Sequence, residues 1–497
     1  DNLVTELNQL IGEGKYSITG EEEGPWEVTV TATGYKTTIS STGKMTEQPS
    51  GGGGDTATLP TGEGTTPWLP DGFNPVADTD LSNGLTITNA TGTQNYVWIE
   101  VPTTIEQSIT LSDGTTKTVK LVDATSDEEI GLILEAYAGD YTKGSSSQSY
   151  SSWKEEWYDK YNATWDGTST YAYIANKSSS NFSKWKDYYG ENNVYTSTAS
   201  DVTGAMTAVD FSTATYNSSL YYFAKVDDNF KNHDDGCGLT YQGYQTAYNK
   251  MLNSIKENGG FWLAQYEAGI AYEAADAETA TNRTEHTTIG DNPSSANYAK
   301  DQYPYNYVYC SEAQKIANAD SVEGKYTSSL PFGIQWDLVC KFLEVKTDLT
   351  YANIATQSTW GNYYDTTYTP SSQIAKYSED YGASFDPVYV NDETDQYEKT
   401  ASGEVLLTTG AIEEATATVS GTSVTKATNP MNIYDFAGNV SEWTLERSAA
   451  FTDVPCALRG GNYSDNRYSR IPASCRSYRS NSENASVNFI GFRSVLY

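Results

Sequence analysis

Apolar residues occur along this chain in short stretches separated by long polar ones. Leu3, Val4, Leu7, Leu10 and Ile11 fall at helical spacing and predict one short amphipathic helix. Residues 26–31 and 35–39 alternate with period two, which predicts two strands joined by a turn at Thr33-Gly34. Residues 1–48 therefore read as a small helix-plus-hairpin module, an anchor or pilin-like unit whose apolar helix would precede Asp1. Residues 49–66, with four consecutive glycines followed by Thr, Gly and Pro, predict a flexible linker. The main body then runs over residues 67–497.

Within the body, residues 85–88 and 96–101 predict an antiparallel strand pair with Gly92 in the turn. Residues 141–235 are rich in Ser, Tyr and Asn, with Trp153, Trp157, Trp165 and Trp185 among them. Neither period is strong there, so the stretch reads as an insertion ordered by its aromatic side chains. Asp227-Asp228 and Asp234-Asp235-Gly236 crowd its end, but their spacing does not match an EF-hand loop, and they read as a solvated acidic turn.

After Gly260 the pattern sharpens. Residues 261–268 (Phe-Trp-Leu-Ala-Gln-Tyr-Glu-Ala) predict a strand with an acidic end. Cys310 to Ala317 predict an amphipathic helix capped by Ser311, and Leu330-Pro331-Phe332-Gly333 leads into a second helix through Trp336. Trp360-Gly361-Asn362, Asp435-Phe436-Ala437-Gly438-Asn439-Val440-Ser441-Glu442-Trp443, Leu458-Arg459-Gly460-Gly461-Asn462, Cys475-Arg476-Ser477-Tyr478-Arg479 and Ile490-Gly491-Phe492-Arg493 follow in order. This ordered series resembles the formylglycine-generating enzyme (sulfatase-modifying factor) family. The resemblance implies an α+β, C-type-lectin-like fold, firm over residues 260–497 and reaching back to the strands near 85–101. It departs at Phe332-Gly333, where the family carries Thr-Glu, and at Tyr309, where the family carries Trp.

Asp435, the carbonyls of Gly438 and Val440, and Glu442 supply several oxygens within eight residues, which suits a hard cation. The resemblance implies a structural calcium ion there; the plain reading is a capped turn with Trp443 buried. Gly438 and Gly460-Gly461 suit tight turns or close backbone approach.

Catalysis in the resembled family needs a reactive cysteine pair just after the Arg-Gly-Gly turn to bind copper. Residues 459–470 contain no cysteine; Cys475 comes later, beside Arg476. Neither Ser464 nor Asp465 offers copper a soft ligand. The enzyme reading fails at these positions, and the chain is expected not to be an enzyme. His233 and His286, the two histidines, lie in no catalytic pattern, and the five cysteines contain no C-x-x-C pair.

Composition then adds a contrast. The 497 residues carry 31 Lys and Arg against 65 Asp and Glu, a net charge of -34. That charge excludes nucleic-acid and anionic-lipid partners, which require a basic footprint. The last 39 residues reverse its sign, with six Arg against Asp465 and Glu483. They also hold eight Ser, five Asn and four Tyr, but no Lys, Met, Gln or Trp. Codons with a pyrimidine third base cannot encode the missing types.

This window, about 459–490, looks like the variable region of a diversity-generating retroelement target protein, a group that shares the lectin-like fold. The resemblance implies a ligand-contacting surface at Tyr463, Asp465, Asn466, Tyr468, Ser477, Tyr478, Ser482, Asn484, Asn488 and Phe489. Tyr, Ser and Asn suit such a surface, as in antibody paratopes, and the arginines predict a basic face for an acidic partner. The expected function is binding a protein or glycan receptor on another cell or surface. The expected location is extracellular, on a bacterial appendage or a phage virion, with no membrane insertion by this chain. A fixed-specificity inactive relative, or an active copper oxidase, are the alternatives.

Overall fold

The computed structural model describes residues 59–143, 157–158, 161, 163–174, 179–198, 206–233, 237–270, 295–357, 359–370, 375–380, 385–387, 404–419, 421–447, 456–465, 471–479 and 488–497, and four short strands before residue 48. The helix expected over Leu3–Ile11 and residue His286 lie outside the described residues. Strand Trp26–Val30 forms as expected, but its partner is Tyr16–Gly20, and Thr37–Ile39 pairs instead with Met45–Glu47. The expected pairing overlooked Tyr-Ser-Ile-Thr-Gly at 16–20, which offers an alternating strand on the other side.

The body starts earlier than residue 67. Leu59 and Thr65 are buried, and Thr65 Oγ1 donates to Gly259 O and accepts from Trp98 Nε1 at 2.9 Å. The linker's last residues are thereby bound into the domain.

The centre is a six-stranded sheet in the order Ser328–Ser329, Val495–Leu496, Gly260–Ala264, Asn95–Glu100, Thr86–Asn89, Phe73–Pro75. The expected pair at 85–101 is there, Thr86 facing Val97, with Gly92 at φ 71 in the connection. Strand Gly260–Ala264 is buried throughout because helices Tyr241–Asn258 and Gly333–Lys346 cover the sheet. The C-terminal strand returns beside it, so the last residues lock the domain.

Helix Cys310–Ala319 begins two residues earlier than a Ser311 cap would set it. Tyr309 is the cap, and its N–H donates to Glu312 Oε2 at 3.2 Å. Among the described residues no helix is long and apolar enough to cross a membrane.

The inserted stretch is more regular than its composition predicts. It forms a six-stranded antiparallel sheet, Trp157–Tyr158, Ala163–Trp165, Tyr171–Ile174, Tyr221–Lys225, Val194–Ser197 and Thr207–Ala208, with helix Ser179–Tyr189 packed on one face. Aromatics order it, as expected: Phe182 and Trp185 meet Tyr222 at 5.6 and 5.1 Å. Asp227 caps a helical turn by accepting from Phe230 N–H, so that part of the acidic run is a cap.

Candidate functional site

The C-terminal sheet is built from Ser477–Arg479, Cys456–Arg459, Ser441–Arg447 and Ile490–Phe492, in that order. The last strand runs parallel to Ser441–Arg447 and the others antiparallel. Gly438, Gly460 and Gly461 take φ values of 79, 90 and 72, which side chains rarely adopt. The loop and the Arg-Gly-Gly turn meet directly, Gly438 N–H donating to Gly460 O at 3.0 Å. Trp443 is fully buried, and its Nε1 donates to Val308 O.

Three arginines of the C-terminal window point inward. Arg459 Nη1 donates to Glu446 Oε2 at 2.5 Å and its Nη2 to Asp337 Oδ1. Arg476 Nε donates to Glu446 Oε1 at 2.6 Å and its Nη2 to Asp337 Oδ2. Two guanidinium groups and two carboxylates thus close a neutral ring whose side chains are at most 1% exposed. Burial disfavours the Glu446 charge, yet Arg476 and Arg459 outweigh it and hold its carboxyl below the usual range. The ring also explains Phe332-Gly333: a Cβ on Gly333 would stand 2.6 Å from Glu446 Cγ, so the carboxylate from strand Ser441–Arg447 occupies that space.

Arg493 forms a second cluster. It grips Glu442 through Nε and Nη2, both at 2.6 Å, and donates to Ala264 O and Tyr434 O. Glu267, at the acidic end of the predicted strand, accepts from Val440 N–H and Asn439 Nδ2. Its burial, with Asp435 and Glu442 nearby, pushes its carboxyl well above the ordinary range.

The expected basic face is corrected for three of the window's six arginines; Arg467, Arg470 and the side chain of Arg479 lie outside the described residues. Arg459, Arg476 and Arg493 are spent on internal carboxylates and contribute no surface charge. Tyr463 is also corrected: it is fully buried with Val440, Tyr303, Phe385 and Leu406, so it cannot contact a ligand. It lies two residues beyond the positive-φ Gly460-Gly461 turn. Asp465 is half-buried and turned to Asn462 N–H at 3.0 Å. Ser477, Asn488 and Phe489 are half-buried, and Asn488 O accepts from Asn306 Nδ2. Asn466, Tyr468, Ser482 and Asn484, and the side chain of Tyr478, lie outside the described residues.

The calcium expectation at Asp435, Gly438, Val440 and Glu442 does not fit the donors. Both Glu442 oxygens take Arg493, and Asp435 Oδ2 accepts from Gly410 N–H at 2.6 Å. Among the described residues no group of three His, Cys, Asp or Glu side chains is placed to hold a metal ion. The capped-turn reading matches this geometry.

The described thiols are sequestered. Cys237, Cys310, Cys340 and Cys475 are buried. Cys475 Sγ donates to Arg476 O, and burial raises the Cys340 thiol. His233 is half-buried and stacks on Tyr188 at 4.5 Å.

The family model described as "Sulfatase-modifying factor enzyme 1-like domain" matches residues 240–497. No curated protein matches the chain.

Proposed function

This chain belongs to the sulfatase-modifying factor enzyme 1-like family, and from that premise we propose that it binds a ligand and does not oxidise one. The observation that carries the reading is the stretch after Arg459-Gly460-Gly461, where the family's copper chemistry needs thiols and residues 462–474 have none. The one thiol that follows, Cys475, is held against the backbone.

The anchoring arginines support a display role for the same window. Arg459, Arg476 and Arg493 pin its start, middle and end, and the remaining expected contact residues fall in the two stretches between. Composition there favours Ser, Asn and Tyr, which give contact area and adaptable hydrogen bonds. The proposed surface is Asp465, Asn466, Tyr468, Ser477, Tyr478, Ser482, Asn484, Asn488 and Phe489, diversified between sister proteins. The proposed setting is an extracellular one, on a bacterial appendage or phage virion, with residues 1–48 as the attachment module and a protein or glycan receptor as partner.

The test is the gene's surroundings together with one assay. A near-copy of the last coding stretch, differing at adenines and lying beside a reverse-transcriptase gene, supports diversification; absence of both leaves an inactive domain of fixed specificity. Formylglycine formation by the copper-loaded protein on a Cys-x-Pro-x-Arg peptide would overturn the binding reading altogether.

A further inference from the structure

The inserted sheet lies outside the stretch matched by the family, and its two faces differ in chemistry. Ala172, Ile174, Val194, Tyr222 and Ala224 point inward and are buried under helix Ser179–Tyr189. The opposite face carries Tyr171, Tyr173, Tyr195, Tyr221 and Phe223. Tyr173, Phe223 and Tyr195 face one another directly across three strands. Tyr171 and Tyr195 meet edge to face at 5.2 Å although strand Tyr221–Lys225 separates theirs. They close over Phe223, which is 1% exposed, while the four tyrosines remain half-buried.

We propose that this tyrosine face is a stacking surface for a neutral polysaccharide chain. Aromatic rings present a negative face and a positive edge, and the C–H side of a sugar ring packs on such a face while tyrosine hydroxyls bond its rim. On a sheet, rings on neighbouring strands stand about 5 Å apart and alternate residues about 7 Å apart, close to the length of one sugar unit. Packing from below by Phe182 and Trp185 fixes the platform, so little ordering is lost on binding.

The charge pattern selects a neutral occupant. The outward positions of strands Tyr171–Ile174, Val194–Ser197 and Tyr221–Lys225 hold no carboxylate, in a chain with 65 of them, and one cation, Lys225. A cationic partner finds no counter-charge on that face, and a polyanion is repelled by the net charge of -34.

The experiment is retention of the full chain on three insoluble neutral polysaccharides, a β-glucan, an α-glucan and a mannan, compared with the double variant Tyr173→Thr/Tyr195→Thr. Threonine keeps strand preference, and matching circular dichroism and melting midpoints establish that the variant folds. Tyr221→Thr serves as the second variant if the first does not. Retention of the wild type on at least one polysaccharide, weakened ten-fold or more in the variant, supports the proposal. It is overturned if the wild type binds none of the three, if the variant binds equally, or if light scattering reveals a dimer that the variant loses, since the face would then join two copies.

Discussion

Arg459 and Arg493 stand at opposite ends of one aromatic stack. The Arg459 guanidinium lies 5.8 Å from the Trp336 ring and the Arg493 guanidinium 5.7 Å from Phe436. The two rings stack at 4.2 Å with 19° between their planes. The two buried ion clusters are thereby one continuous unit, running from helix Gly333–Lys346 through the Asp435–Trp443 loop to the last strands. A buried charge left without its partner costs far more than the pair contributes, so this unit ties Arg459, Arg476 and Arg493 to fixed internal partners.

Arg476→Ala should therefore destabilise the protein by about 3–5 kcal/mol, the usual cost of breaking a buried ion pair from one side. Arg476→Lys should recover only part of this, because a lysine cannot bridge Glu446 and Asp337 as a planar fork does. Denaturant unfolding measures both. A loss below about 1 kcal/mol for Arg476→Ala would place the ring among interactions of little weight.

Gly333→Ala tests the same ring from its empty side. The new methyl would meet Glu446 Cγ at 2.6 Å and force the carboxylate off its arginines. The expected cost is about 1–3 kcal/mol, although alanine is ordinarily the better helix residue. A stabilised variant would mean that Glu446 moves aside freely.

Removal of calcium should leave the melting curve unchanged, since Glu442 and Asp435 are committed to Arg493 and the Gly410 amide. A midpoint that falls with chelator and returns with added calcium would contradict this.

Asp320 closes helix Cys310–Ala319 at its negative end and is half-buried. Burial pushes its carboxyl from 3.8 up to about 6. The folded state thus holds this proton more tightly than the unfolded chain. Its stabilising contribution is complete below about pH 4 and is lost as pH rises through 6. Asp320→Asn should raise the melting midpoint at pH 8 by roughly 2 °C and change little at pH 4. An equal shift at both values would show that the effect is not ionisation.

Much of the domain was legible in sequence. The strand pair around Gly92, the strand Gly260–Ala264 that was expected to run on to Ala268, and the ordered motifs after Gly260 each carry local signals: alternation, turn glycines and buried tryptophans. Arg459, Arg476 and Arg493 misled, because a window of like charges gives no sign of where its counter-charges lie. Asp337 is 122 and 139 positions from Arg459 and Arg476. One signal was present: Asp337, Glu442 and Glu446 all sit beside or near a core tryptophan, where a carboxylate needs a cation. The inserted sheet stayed hidden for a different reason. Its strands are short, and tyrosines on both faces blur the alternation that marks a half-buried strand.

The central claim is that a fixed scaffold carries a surface free to vary, and a saturation library over residues 459–493, sorted for folded protein, tests it most directly. Arg459, Arg476, Arg493 and Tyr463 should accept few replacements, while residues 466–470 and 480–487 should accept most. Those two stretches proving as intolerant as the arginines, or the arginines as replaceable as the stretches, would contradict it.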